Sequence, residues 1–167
     1  MFGQNWAEQT KHFMGITYQT WGTIFIILIV AAATWLHFRA KNNPARYYFV
    51  GAFIVTGMFL LSVRMHERYV YPAIIMLLFA FAMRPKREIA YLFTGLSGMA
   101  FFNMAHVEFV YDLNNFNAKE PVTLAIAAGM VIVFGYMVYV ALTCFNGYLS
   151  EGEIARTSTG RPAQAGR

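Results

Sequence analysis

Residues 18–38 read YQTWGTIFIILIVAAATWLHF, with no Asp, Glu, Lys or Arg among them. About 20 predominantly apolar residues cross a bilayer as a helix, so this run alone predicts a membrane span. Working outward, four more apolar runs follow, at about 47–63, 70–83, 89–107 and 122–145. Apolar residues make up 58% of the chain and charged residues 13%, too few to cover the surface of a soluble domain. The mean hydropathy of +0.45 agrees. The reading is an all-α integral membrane protein of about five transmembrane helices. A helical domain over residues 1–149 precedes a disordered tail at 150–167, rich in Gly, Ser, Thr, Pro and Arg.

The basic residues sit in short clusters between the apolar runs. Arg39, Lys41 and Arg46 fall between the first two, Arg84, Lys86 and Arg87 between the third and fourth, and Arg156, Arg161 and Arg167 in the tail. With five spans these segments share one side, which the positive-inside rule makes cytoplasmic. The N-terminus is then outside and the C-terminus in the cytoplasm. Tyr18, Trp21, Tyr47, Tyr48, Tyr69, Tyr71 and Tyr148 fall near span ends, as interfacial aromatics do. The net charge of +5 does not predict nucleic-acid binding, because no basic, aromatic-studded face lies outside the spans. Cys144 is the single cysteine and reads as a small hydrophobe. No Cys/His zinc spacing, phosphate loop or internal repeat is present. Asp112-Leu113-Asn114-Asn115 lacks the glycine and distal glutamate of a calcium loop and reads as a polar loop.

The chemistry-bearing stretch is Arg64-Met65-His66-Glu67-Arg68-Tyr69-Val70-Tyr71-Pro72. As helix, 70–83 rises about 21 Å, against a hydrocarbon core of about 30 Å. The third run is therefore either re-entrant or begins near 66, drawing the ionisable cluster toward the outer boundary of the bilayer. Pro72 suits the first turn of a helix starting near Tyr69–Tyr71. One reading is a tight outer turn, with Glu67 neutralising an arginine and the rest reaching water. The other is a site: two guanidinium forks fit a phosphate, while His66 and Glu67 can move protons or orient a hydroxyl. On the same side lie Asn103 and His106, with Glu108 beyond. These residue types read singly as interfacial caps or interhelical bonds. Together with the first cluster they predict one shared cavity. His37 reads as interfacial.

Arg64-Met65-His66-Glu67-Arg68-Tyr69 with Pro72 resembles the R-M-H-E-R-Y-x-x-P segment of bacterial GT-C-type membrane glycosyltransferases, the mannosyltransferase-like proteins related to the second GPI mannosyltransferase. Gly15–Gly22 resembles the stretch that opens a late span in that family, and Asn103–Val107 the segment after the next basic loop. The resemblance covers about residues 13–110 and corresponds to the C-terminal third of the family's chains. It implies transfer of a sugar, often mannose, from a polyprenyl-phosphate carrier to an acceptor on the extracytoplasmic face of the bacterial plasma membrane, with no metal or other cofactor. It implies donor-binding roles for Arg64, His66, Glu67, Arg68, Tyr69, Asn103 and His106. The family's catalytic acid belongs to an early loop without counterpart here, leaving Glu67 and His66 as the candidates within this chain. The resemblance thus implies a C-terminal portion working with membrane lipids, the lipid-linked donor and an N-terminal counterpart. The alternative is a non-catalytic lipid-phosphate-binding or assembly subunit.

Overall fold

In the computed structural model, residues 12–40, 43–61, 67–109 and 121–145 are described. The apolar runs fold as five helices: α1 (Tyr18–Arg39), α2 (Arg46–Leu61), α3 (Tyr71–Met83), α4 (Arg87–Phe109) and α5 (Pro121–Cys144). A 3-10 turn at Glu67–Val70 leads into α3. The tail, the Asp112 loop and the Arg64–His66 stretch lie outside the described residues.

The local chemistry explains the helix ends. Thr17 caps α1, its hydroxyl accepting from the Thr20 amide at 3.2 Å. His37 and Arg39 occupy the last turn, where cations suit the dipole. Pro72 stands in the first turn of α3. At its other end Arg84 precedes Pro85 and turns extended (φ −146°, ψ 93°), the conformation a following proline imposes. One element was absent from the sequence reading. His12–Phe13 and Ile16–Thr17 form a minimal antiparallel ribbon, β1 and β2, whose two turn residues Met14 (φ 54°) and Gly15 (φ 82°) both adopt the left-handed region. Positive φ at both centres is the type I′ arrangement, which suits the twist of a hairpin.

The helices run up and down, with sequence neighbours packed together and α2 also touching α5. The core is a stripe on each helix. Ile29, Ala33 and Leu36 supply it on α1, Ala73, Leu77 and Ala80 on α3, and Ile89, Leu92, Leu96 and Ala100 on α4. All recur at helical spacing. α2 buries Phe49, Val50, Ala52, Phe53, Thr56 and Gly57, a broader face that fits its central position.

The outward faces are apolar as well. Ile27 is 62%, Phe101 67% and Ile132 70% exposed. α1 and α5 are long and apolar enough to cross a membrane. α2 is shorter, at 16 residues, and α3 has 13. α3 rises about 20 Å, and the preceding 3-10 turn adds about 8 Å.

Long-range contacts fix which termini meet. Arg84 Nη1 donates to the Cys144 carbonyl at 3.4 Å, and Phe49 stacks on Phe145 with ring centroids 4.2 Å apart. The ends of α1, α3 and α5 therefore gather with the starts of α2 and α4. Arg39, Arg46, Arg84, Lys86 and Arg87 all lie at this basic end. The 3-10 turn, the end of α4 and the start of α5 lie at the other.

Candidate functional site

The turn at Glu67–Val70 is anchored by one residue. Val70 is fully buried, whereas Arg68 and Tyr69 are exposed. The turn packs against α2, α3 and α4. An apolar plug thus holds a cation and a phenol at the rim of the bundle, the disposition the amino-acid order Arg68-Tyr69-Val70 encodes within a single turn. Glu67 opens the turn. Arg64 and His66, expected beside them, lie outside the described residues.

On α4 the buried stripe continues by one more helical step to Asn103, which is half-buried. His106, also half-buried, lies one turn further along, about 60° round the helix from Asn103. Its Nε2 is 3.1 Å from the Thr123 hydroxyl in the first turn of α5. Beside this pair lies a groove of about 630 Å³. Met99, Phe102, Ala105 and His106 line it from α4, and Pro121, Val122, Ala125 and Ile126 from α5. Its walls are hydrocarbon, with an imidazole at the edge. Such a slot suits an apolar chain carrying a polar head.

Of the expected residues, the structure places Arg68, Tyr69, Asn103 and His106 at one end of the bundle, and the cavity expected to be shared with His66 falls on a residue outside the described ones. The 3-10 turn touches α4, the helix that carries Asn103 and His106. The groove at His106 belongs to α4 and α5, and no residue of the turn is among its described lining.

Thr123 was missed from sequence. Its signal was weak: a hydroxyl two residues after Pro121, where it reads as an ordinary helix-start residue. Among the described residues, no group of three or more His, Cys, Asp or Glu is placed to hold a metal ion. What this end offers is therefore exposed Arg68, a partly buried amide, an imidazole–hydroxyl pair and an apolar groove. No family model, curated protein or solved structure matches this chain.

Proposed function

We propose that this chain is a multi-pass membrane portion of a glycosyltransferase that moves a sugar, mannose in the family it resembles, from a polyprenyl-phosphate donor to an acceptor at the extracytoplasmic face. In this reading it supplies the donor-phosphate pocket. The observation that carries the proposal is the Val70-anchored turn, which holds Arg68 and Tyr69 outward at the end of the bundle where α4 carries Asn103 and His106.

The membrane placement rests on the apolar outer faces. A soluble bundle would turn polar residues outward there, and so large an apolar exterior calls for lipid. All five helices cross, α3 with its preceding turn making up most of the core thickness. The basic end is cytoplasmic, which places the N-terminus outside, the C-terminus inside and the turn at the outer leaflet.

Each residue then has a task. Arg64 and Arg68 grip the donor phosphate with their planar forks. His66 and Glu67 orient the arginines and the leaving oxygen. Tyr69 seats the segment at the headgroup level. Asn103 and His106 hold polar parts of the donor, and the α4–α5 groove takes its first isoprene units. The general base comes from an early external loop of the N-terminal counterpart that the resemblance implies.

The test is a transfer assay in vesicles with a short-chain polyprenyl-phosphate mannose. Turnover is expected when this chain is combined with that counterpart, and donor binding without turnover when it stands alone. Absence of donor binding by the chain in vesicles would overturn the proposal.

A further inference from the structure

We infer that the seam between α4 and α5, at the basic end of the bundle, binds a primary ammonium group, its occupant being the headgroup of phosphatidylethanolamine. Such a site needs the bundle in a bilayer but not the glycosyl-transfer reaction.

Three contacts fix how α4 and α5 sit against each other. A Cβ on Gly95 would lie 3.5 Å from Val133 Cγ2, one on Gly129 would run into Met99, and His106 meets Thr123 at 3.1 Å. From Gly95 to Met99 α4 advances four residues while its partner falls back four, from Val133 to Gly129, so the helices are antiparallel in one register. Glu88, seven residues or about two turns before Gly95, is on the same face and level with Val140, seven after Val133. Tyr91 stands one turn on from Glu88, and Tyr136 and Tyr139 lie one turn apart on α5. Glu88, Tyr139 and Tyr91 are all within electrostatic reach of the Tyr136 phenol. Tyr136 stacks on Tyr139 with ring centroids 5.9 Å apart.

This carboxylate and these phenols have accepting capacity to spare. Among the described residues, Glu88, Tyr91, Tyr136 and Tyr139 make no side-chain hydrogen bond and no ion pair. They are also within reach of a ligand: Glu88 and Tyr136 are half-buried, while Tyr91 is 64% and Tyr139 56% exposed. The α4 dipole favours a carboxylate in its first turn, but it leaves the Glu88 oxygens unbonded. At the edge of a bilayer a carboxylate is costly until it is paired.

One carboxylate among phenol oxygens asks for a cation. A divalent metal would draw on more oxygen ligands than this, and among the described residues no group of three or more His, Cys, Asp or Glu is placed to hold one. An ammonium fits: its three N–H groups go to Glu88 and to phenol oxygens, and the ring faces attract its charge. Exposed Arg87, next in sequence, meets the phosphate, so Arg87 and Glu88 mirror the two charges of a zwitterionic headgroup. Ile132, 70% exposed and two turns deeper than Tyr139 on the same face, offers apolar ground for an acyl chain, which favours a lipid over a free amine.

The test uses the full chain in a neutral detergent, with short-chain phosphatidylethanolamine, short-chain phosphatidylcholine and soluble phosphoethanolamine as separate arms, read by native mass spectrometry. Phosphatidylethanolamine is expected to bind in preference to phosphatidylcholine, whose methylated nitrogen has no N–H to donate. Glu88→Gln, which keeps the shape, should cut that preference about tenfold, as for loss of one charge-assisted bond. Glu108→Gln removes the same charge from an exposed position near the other end of α4 and is expected to leave it unchanged. If Glu88→Gln does not fold, Tyr136→Phe decides, with an expected loss of about threefold for one neutral hydrogen bond. Equal binding of the two lipids, or equal losses in Glu88→Gln and Glu108→Gln, would overturn the site. Phosphoethanolamine bound as tightly as the lipid, with the same Glu88 dependence, would overturn the lipid as occupant.

Discussion

The two ends of the bundle treat polar groups in opposite ways. At the basic end, cations complete helix termini: Arg84 donates to the last carbonyl of α5 and Arg46 to Ala40, just past α1. Orphan carbonyls at helix ends need such donors, so these side chains are tied to backbone. At the other end α3 has a proline in its first turn and α5 starts on one. There the polar contact is between side chains of two different helices, His106 with Thr123, and a groove lies next to it. Backbone-tied cations brace the structure. Polar side chains that hold one another, beside open apolar space, can exchange that contact for a ligand.

The sharpest way to break this contrast is to make the same substitution at both ends. Arg→Lys keeps the charge but loses the planar fork. Arg64→Lys and Arg68→Lys should each weaken binding of a short-chain polyprenyl phosphate by about 10- to 150-fold, the equivalent of about 1.5–3 kcal/mol. Arg84→Lys, at the basic end, should leave that affinity unchanged. Equilibrium binding to the three variants in one detergent checks this. Equal small effects everywhere would mean that the rim arginines only reach for water.

The ends can behave independently only if the shaft between them is stiff, and two glycines probe that. A Cβ on Gly57 would meet Ile29 Cδ1 at 3.1 Å and its Cγ1 and Cγ2 at 3.2 Å. Isoleucine is branched and stiff, so it has nowhere to go. A Cβ on Gly51 would come closer, 2.7 Å from Met76 Sδ, but that side chain is unbranched and can swing away. Gly57→Ala should therefore destabilise by about 1–3 kcal/mol. Gly51→Ala should cost less, because Met76 can yield and the gain in helix propensity common to both variants, about 0.5–1 kcal/mol, is then not outweighed. Unfolding of both variants in mixed micelles would show the order, and the reverse order would mean that the α1–α2 seam is loose.

A smaller effect tests the polar pair. Thr123→Val removes the hydroxyl facing His106 while keeping the shape. Interhelical hydrogen bonds in membranes contribute about 0.6 kcal/mol on average, so stability should fall by about that much. Binding of an isoprenoid chain in the groove should persist, since the walls are hydrocarbon. Loss of that binding would mean that the pair holds the groove open.

Sequence was informative where contacts are local. The apolar runs, the Pro72 start and the stop before Pro85 each follow from residues within one or two turns. The anchoring of the 3-10 turn by Val70 was only half legible. A short third run required something ahead of α3, but Val70 looked like any other apolar residue of the run. Contacts between distant residues were not legible at all. Arg84 meets a backbone carbonyl sixty residues away, and His106 a hydroxyl seventeen away. Nothing in the composition of either neighbourhood names the partner. The Glu88–Tyr136 arrangement was hidden for another reason. A lone acid after a basic loop reads as an ordinary helix-start residue, and what it faces depends on the register of α4 against α5.

The smallest expected effect lies between the two ends, at Thr56. Threonine in an apolar helix ordinarily satisfies its hydroxyl on the carbonyl four residues back. Thr23, Thr34 and Thr143 do so, donating to Gln19, Val30 and Tyr139 at 3.1, 2.8 and 2.9 Å. Thr56 does not. It is 2% exposed, and its Oγ1 is buried with no partner. A buried, unpaired hydroxyl costs about 1–3 kcal/mol in desolvation. Valine has nearly the same shape and no such group, so Thr56→Val should leave stability unchanged or raise it by up to about 1 kcal/mol. The same change at Thr34 removes a made bond at an exposed position and should lower stability slightly or not at all. Unfolding of the two variants side by side reads the difference, with Thr56→Val expected to be the more stable. If it is instead the less stable, the Thr56 hydroxyl has a partner in the membrane, such as a water reaching the middle of the bundle. The shaft would then be wet, and the two ends would not be the separate polar regions described above.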